Sequence, residues 1–187
     1  MADGKAREPL PGWVLEARKK WKFRGAQRPP FAVDPGPGQE SVWDYPRPPR
    51  IAADTRRVEV ELDGQILASS CDSVRILETA SPPTFYLPPR DVQQTMLVAA
   101  TGGSFCEWKG EARYWLSAHD PQPIAWSYPD PLPEFEALTN WFSFYPSRVR
   151  CWVDGVEVQP QTGDFYGGWV TPDITGPFKG EPGSGSW

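Results

Sequence analysis

Chemically reactive side chains are concentrated in one segment of the chain, residues 105–115, with the sequence FCEWKGEARYW. Its eleven residues include a thiol, an amine, two carboxylates, a guanidinium and four aromatic rings. A β-strand needs only alternating apolar and polar residues, so this segment carries more chemistry than folding requires. A cysteine beside a lysine ammonium is a candidate nucleophile, because the positive charge favours the thiolate.

The nucleophile interpretation of Cys106 lacks a partner in the sequence. A cysteine nucleophile normally needs a general base, usually histidine. The single histidine, His119, lies in the turn AHDP and is predicted to be a solvated loop residue. Strand alternation also places Cys106 and Lys109 on opposite faces, unless a bulge at Gly110 re-aims the lysine. Cys106 is therefore a small core residue, a ligand contact or a nucleophile.

Lys109 and the aromatic residues around it favour a pocket. The lysine either extends from a strand edge into water or faces an anionic group in a pocket. Rings that converge in a small β fold can form a slot for a flat or cationic ligand, and the alternative is that the same rings form the core. The predicted ligand-binding residues are Tyr86, Cys106, Lys109, Tyr114, Trp126 and Tyr128.

The elements that must position these residues are short strands. Two hairpins are predicted around Asp-Gly pairs, which favour the type I′ turn: 58–62 with 65–68, and 150–153 with 156–158. In the first hairpin Val60 is expected to oppose Leu67. Further strands are predicted at 74–78, 84–87, 96–99, 104–108, 111–117 and 124–128. The pattern indicates a mainly β fold, either a compact antiparallel sandwich of short strands or a partly open barrel.

The segments on either side of the strands have a different composition. Residues 1–8 are predicted to be disordered. Between Pro9 and Gly25 a helix should place Trp13 and Trp21 on the core, and a second short helix is expected near 134–141. We expect three parts: a helix and proline-rich arm packed on the body (1–55), a β domain (56–160), and an irregular C-terminal wrap rich in glycine, proline and aromatic residues (161–187).

Charge and cysteine content limit the function classes. Residues 1–50 carry ten Lys/Arg against six Asp/Glu, and residues 51–187 carry nine against eighteen. An acidic body repels phosphate, so nucleic acid is not an expected partner. Three widely spaced cysteines argue against a disulfide framework and a zinc site. The chain has no apolar run of membrane-spanning length and no secretory signal is visible, so we expect a cytoplasmic protein that is not bound to membrane.

Four motifs resemble a family catalogued as domain of unknown function 427, also filed under a nucleotidyltransferase-like label. They are LETASPPTFYLPP (77–89), FCEWKGEARYW (105–115), AWSYPDPLPE (125–134) and FYPSRV (144–149), and they cover roughly residues 56–158. The typical family version has a cysteine, two residues and Lys-Gly before an aromatic pair, here Cys106, Lys109, Gly110, Tyr114 and Trp115. The resemblance implies a compact, mostly β domain and brings no settled activity.

The nucleotidyltransferase label makes a chemical demand that can be checked on the residues. Nucleotidyl transfer needs carboxylates that converge on Mg²⁺. Glu59 and Glu61 share one side of a strand, but the expected Gly-Ser turn before them is replaced by Arg56 and Arg57. A solvated pair of glutamates is the simpler interpretation. No metal-binding residue is therefore assigned, and the cofactor is not predicted.

The sequence thus predicts a soluble β domain that binds a small molecule or a partner in an aromatic pocket near Lys109. The alternative is an enzyme, either one that depends on Cys106 or a metal-dependent, nucleotidyltransferase-like transferase. The ligand and the oligomeric state are not predicted.

Overall fold

The computed structural model describes residues 9–163 and 165–187, so the prediction for residues 1–8 lies outside the described residues. One α-helix, α1, spans Gly12–Lys19. The strands are β1 Glu40–Ser41, β2 Arg50–Asp54, β3 Val58–Leu62, β4 Gln65–Ser70, β5 Ser73–Leu77, β6 Thr84–Tyr86, β7 Val98–Cys106, β8 Gly110–Leu116, β9 Pro123–Ser127, β10 Phe142–Phe144, β11 Arg150–Val153, β12 Val156–Glu157, β13 Gln159–Pro160, β14 Trp169–Val170 and β15 Ile174–Thr175.

The described strands form small sheets that are antiparallel except at one pair. Two sheets have four strands, in the orders β10-β9-β8-β7 and β12-β11-β3-β4, and a third has the order β2-β5-β6. A short 3-10 helix at Pro133–Leu138 lies where the second short helix was expected. The predicted mainly β architecture is confirmed. None of the described helices is long and apolar enough to cross a membrane.

Both predicted Asp-Gly hairpins form. Positive φ angles at Asp63 (52°) and Gly64 (79°) give the type I′ geometry, and Val153 faces Val156 in the second hairpin as expected. The first hairpin differs in register, because Val60 pairs with Ala68 rather than with Leu67. A bulge between positions 60 and 61 shifts the ladder by one residue. The shift leaves Leu67 fully buried in the core.

Three buried clusters lie in the described part of the chain, and two of them contain residues of the four-stranded sheets. One packs the inner faces of the two four-stranded sheets and includes Leu67, Phe85, Phe144 and Trp169. The other is dominated by rings, among them Tyr86, Trp108, Trp126, Tyr128, Phe135 and Tyr145. Aromatic residues therefore supply a large share of the buried area, since each contributes roughly 150–250 Å².

The helix prediction was wrong in its extent and its buried face. α1 ends at Lys19, and its buried residue is Val14 rather than Trp13. Trp13 is 56% exposed and packs edge-on against Phe105, with 5.3 Å between the ring centres. Trp21 follows the helix and is half-buried. α1 is short, and its buried side chain, Val14, is small. Trp13 and Trp21 therefore do not share one buried face of the helix.

The arm and the C-terminal segment contain more sheet than the sequence indicated. β1 pairs in parallel with β15, which joins the proline-rich arm to the last part of the chain. β2 pairs with β5, so regular structure of the body begins at Arg50 rather than near position 56. Trp43 is fully buried, and its indole N–H donates to the carbonyl of Pro177 over 3.1 Å.

Candidate functional site

The Cys106–Gly110 segment is a tight hairpin loop rather than a continuous strand. β7 and β8 end their ladder with Cys106 opposite Gly110, and residues 107–109 form the turn between them. Gly110 has φ of 98°, the left-handed conformation that closes a three-residue loop with a bulge. Strand alternation therefore does not apply at Lys109. Of the two alternatives that the sequence left open, opposite faces or a bulge at Gly110 that re-aims Lys109, the structure has the second, because the chain turns between Cys106 and Lys109.

The loop is anchored from a neighbouring segment. The amide N–H of Leu132 donates to the carbonyl of Lys109 over 3.0 Å. A Cβ at Gly110 would lie 3.4 Å from the Leu132 nitrogen and 3.5 Å from its Cγ. Glycine thus serves two needs here, the positive φ and the close approach of the 130–132 segment. The carbonyl of Lys109 is thus held by the 130–132 segment, and the Lys109 side chain is buried.

A cavity of about 320 Å³ lies beneath this loop. All six residues predicted to bind a ligand line it: Tyr86, Cys106, Lys109, Tyr114, Trp126 and Tyr128. Tyr86 comes from β6, Tyr114 from β8, Trp126 from β9, and Tyr128 from the residue just after β9. Cys106 and Tyr114 are partly buried, whereas the other four are buried. The volume is at the lower end of the range for small-molecule sites, which are about 300–1,000 Å³.

Hydrogen bonds between ring substituents fix the cavity wall. The Trp126 indole N–H donates to the Tyr86 hydroxyl over 2.9 Å, and the two rings are perpendicular. The hydroxyls of Tyr114 and Ser104 share a hydrogen bond of 2.7 Å. Burial raises the pKa of Tyr86 and Tyr128, so both phenols stay neutral at physiological pH. These hydrogen bonds hold the rings of the wall in place, and the phenols of Tyr86 and Tyr128 carry no charge.

Lys109 contributes a charged ammonium to the part of the cavity wall that these rings form. Lys109 is 8% exposed, and its Nζ lies 5.9 Å from the centre of the Tyr128 ring and 6.0 Å from that of Phe135. Burial lowers the pKa of Lys109, but the nearby Cys106 sulfur, Tyr86 and Glu78 outweigh burial and leave the pKa above its ordinary value. Lys109 is therefore a buried cation at neutral pH. The rings offer it cation–π contact.

A second part of the wall comes from the arm. The Arg47 guanidinium stacks on Trp21 at 3.7 Å from the ring centre, and Arg47 also pairs with Glu78 at 3.0 Å. The Trp21 indole N–H donates to the Glu107 carboxylate over 3.0 Å. Both cavity carboxylates thus have partners within the protein. The N-terminal part of the chain thus contributes Trp21 and Arg47 to the cavity wall. The strand pattern of the sequence did not predict this contribution.

The C-terminal segment supplies the remaining wall. Gly167 packs directly on the Trp126 indole, where a Cβ would lie 2.3 Å from Cη2. Gly168 donates its amide N–H to the Gln161 side chain over 3.1 Å. Lys179 donates to the carbonyl of Ser184 over 2.7 Å and lies 5.3 Å from the Trp21 ring centre. Phe165 is 73% exposed beside this wall.

Sequence reasoning missed several wall residues. Tyr145, whose ring centre is 4.5 Å from that of Trp126, lies in the FYPSRV motif that was noted only for its family resemblance. Trp108 was assigned to a strand, although it is buried in the turn. The sequence did not indicate that residues of the arm and the C-terminal segment line the cavity, because their packing on the site depends on tertiary structure.

Carboxylates do not converge in the described part of the chain. Within residues 9–163 and 165–187, no group of three or more His, Cys, Asp or Glu side chains is placed to hold a metal ion. Glu59 pairs with Arg57 at 2.9 Å, and Glu61 lies 3.9 Å from Arg150. His119 is exposed and does not line the cavity.

Comparison with known families gives a match over more than half of the chain. Residues 50–155 match the family model described as Domain of unknown function (DUF427), whose short label, NTP_transf_9, abbreviates nucleotidyltransferase. The matched residues include the six predicted ligand-binding residues, which line the cavity, and the loop at Gly110. Among the curated proteins no relative of the chain was found.

Proposed function

The chain belongs to the family described as Domain of unknown function (DUF427), and from this premise we propose that it is a binding protein whose cavity beside Lys109 holds a small molecule. The observation that carries the proposal is the Lys109 ammonium, 8% exposed, on the wall of a 320 Å³ cavity lined by rings. Burying an ammonium costs free energy unless it is paired, and a bound ligand would supply that pairing.

The composition of the wall supports the same proposal. Small-molecule sites are concave and mostly apolar, with a few polar groups that fix the orientation of the ligand. This cavity has the rings of Tyr86, Trp126 and Tyr128 as its apolar surface and Lys109 as a buried charged group. Its hydrogen bonds hold the rings in place before any ligand arrives, which lowers the ordering cost of binding.

A screen on the full-length protein tests this proposal. Native mass spectrometry of the purified chain against a library of small organic molecules should detect bound species, and tryptophan fluorescence should report their affinity through Trp126. Lys109→Met should weaken binding, whereas Lys20→Met, at an exposed position outside the cavity, should leave it unchanged. If no library member binds, or if the Lys109 variant binds as well as the parent protein, the proposal is wrong.

Thiol chemistry at Cys106 is the second candidate, favoured by the position of its sulfur beside the Lys109 ammonium in the same cavity. A neighbouring cation stabilises a thiolate, the nucleophilic form of cysteine. Iodoacetamide labelling across pH, read by peptide mapping, compares Cys106 with the exposed Cys71. If Cys106 reacts no faster than Cys71 at any pH, this candidate is excluded. The metal-dependent alternative has no comparable observation in its favour.

A further inference from the structure

The cavity wall carries an excess of positive charge on an acidic body. Its cationic side chains are Arg47, Lys109 and Lys179, whereas its acidic side chains are Glu78 and Glu107. Residues 51–187 as a whole carry nine Lys/Arg against eighteen Asp/Glu. The local charge is therefore opposite in sign to that of the surrounding body, which favours an anionic ligand over a cationic one.

Four of these five charges already have partners. Arg47 pairs with Glu78 at 3.0 Å and donates to the carbonyl of Thr79 over 2.8 Å. Glu107 accepts from the Trp21 indole, and Lys179 donates to the carbonyl of Ser184. The ammonium of Lys109 lies beside the Cys106 sulfur and the faces of aromatic rings, and the Glu78 carboxylate that also acts on it is paired with Arg47. A thiol sulfur is a weak acceptor, so Lys109 is the cation left for a ligand.

An unsatisfied donor lies next to this lysine in the chain. Trp108 is 3% exposed and lines the cavity, and its indole Nε1 has no hydrogen-bond partner among the described residues. A buried N–H without an acceptor costs about 1–3 kcal/mol. Indole nitrogen donates and cannot accept, so the group that satisfies it must be an acceptor such as a carboxylate oxygen.

We propose that the ligand is a small aromatic monocarboxylate. Its carboxylate pairs with the Lys109 ammonium and accepts from the Trp108 indole N–H, and its ring lies among Tyr86, Trp126 and Tyr128. This inference rests on the proposed binding function and narrows it to one ligand class. A dianion would need a second available cation, but Arg47 and Lys179 are committed to protein partners.

Matched acids and amides test the charge requirement. Benzoate and indole-3-carboxylate are titrated against benzamide and indole-3-carboxamide, with wild-type full-length protein, by calorimetry and tryptophan fluorescence. The acids should bind about tenfold or more tightly than their amides, since hydrogen bonds to charged groups are the stronger ones. Equal binding of acid and amide overturns this inference but leaves the binding function standing. If all four probes fail while the library screen finds another ligand, only this inference is lost; failure of both contradicts the binding function as well.

Two variants assign the preference to named groups. Lys109→Met should bring the acid-to-amide ratio close to one, and Trp108→Phe should reduce it severalfold while keeping the acid preference. Lys20→Met is the charge-matched control, which should leave the ratio unchanged. Retention of the full ratio in Lys109→Met overturns the assignment. If the Lys109 variant does not fold, the wild-type acid-to-amide ratio and the Trp108 variant still decide whether the cavity prefers a carboxylate.

Discussion

Cys106 and Gly110 face each other as the last pair of the β7–β8 ladder, and the positive φ of Gly110 turns the chain so that Lys109 lies beside the Cys106 sulfur. A continuous strand would have placed the two side chains on opposite faces. The loop thus brings a thiol and an ammonium to one cavity that is otherwise lined mainly by rings.

Gly110→Ala tests the loop. The left-handed conformation costs a residue with a Cβ about 1–2 kcal/mol, and the contact with Leu132 adds crowding. We expect a loss of about 1–2 kcal/mol in the free energy of unfolding, measured with urea, together with weaker binding of benzoate. Gly64→Ala is the matched control, with φ of 79° and open space around it. Gly64→Ala should lose similar stability and keep benzoate affinity; equal binding losses in both variants would contradict the assigned role of the loop.

Gly167→Ala tests the contact between the C-terminal segment and the cavity wall. The added Cβ would lie 2.3 Å from Cη2 of Trp126, so either the indole or the segment must move. Overpacking of this kind costs about 1–3 kcal/mol, and the emission spectrum of the protein should shift. Gly185→Ala, with nothing within 4 Å of its added Cβ, should change neither stability nor emission. An unchanged spectrum in Gly167→Ala would show that the contact is absent in solution.

Tyr86→Phe tests the buried hydrogen bond of the wall. The variant removes the acceptor of the Trp126 indole N–H and should lower the free energy of unfolding by about 1–3 kcal/mol. Comparison of Tyr86→Phe, Trp126→Phe and the double variant in a thermodynamic cycle isolates the coupling between the two side chains. Additive losses, with no coupling, would contradict the hydrogen bond.

Trp43→Ala tests how firmly the proline-rich arm is packed. Trp43 is fully buried, and Phe23, Phe31 and Trp187 contact its ring. Truncation of a buried aromatic costs about 3–5 kcal/mol, so thermal unfolding should begin well below that of the parent protein. Trp13→Ala, at a position that is 56% exposed, should cost far less. Equal small effects would mean that the arm is not packed in solution.

An ionic network should make stability fall in acid. Asp54 pairs with Arg56 and Arg75, Arg56 also reaches Asp173, and Arg75 reaches Glu40. Burial raises the pKa of Asp54, but hydrogen bonds from Arg56 outweigh it and hold the pKa below its ordinary value. Burial also raises the pKa values of Glu40 and Asp173, but hydrogen bonds from Arg75 and Tyr45 lower that of Glu40, and a hydrogen bond from Thr171 with the charge of Arg56 lowers that of Asp173.

A carboxylate with a lowered pKa in the folded state binds protons more weakly than in the unfolded chain. Its stabilisation is therefore complete above the ordinary pKa of about 4 and is lost as pH falls through the lowered folded value. Urea unfolding between pH 7 and pH 3 should show a decline that begins near pH 5. Asp54→Asn should be less stable at pH 7 and show a shallower decline. If stability falls with pH as steeply in Asp54→Asn as in the parent protein, Asp54 is not a source of the loss of stability in acid.

Much of the fold could be predicted from local pattern. The Asp-Gly turns at 63–64 and 154–155 determine the two hairpins, because both positions adopt positive φ at little cost. The register of the first hairpin could not be predicted, since the bulge after Val60, which accompanies the burial of Leu67, has no signal in the local pattern. The predicted helix was too long and its buried face was wrong, because the spacing of Trp13 and Trp21 does not show which face of a helix packs against another segment.

The sequence by itself determined the mainly β class, the turns and the six residues proposed as a site, because residue type and short-range spacing report backbone preference and chemistry. Only the tertiary structure decided that these six residues line one cavity and that Trp21, Arg47 and Gly167 complete its wall. The tertiary structure also decided that the Lys109 ammonium lies beside the Cys106 sulfur in this cavity. Those relationships depend on the path of the chain through the turn at Gly110 and on packing between segments far apart in sequence, which local patterns do not encode.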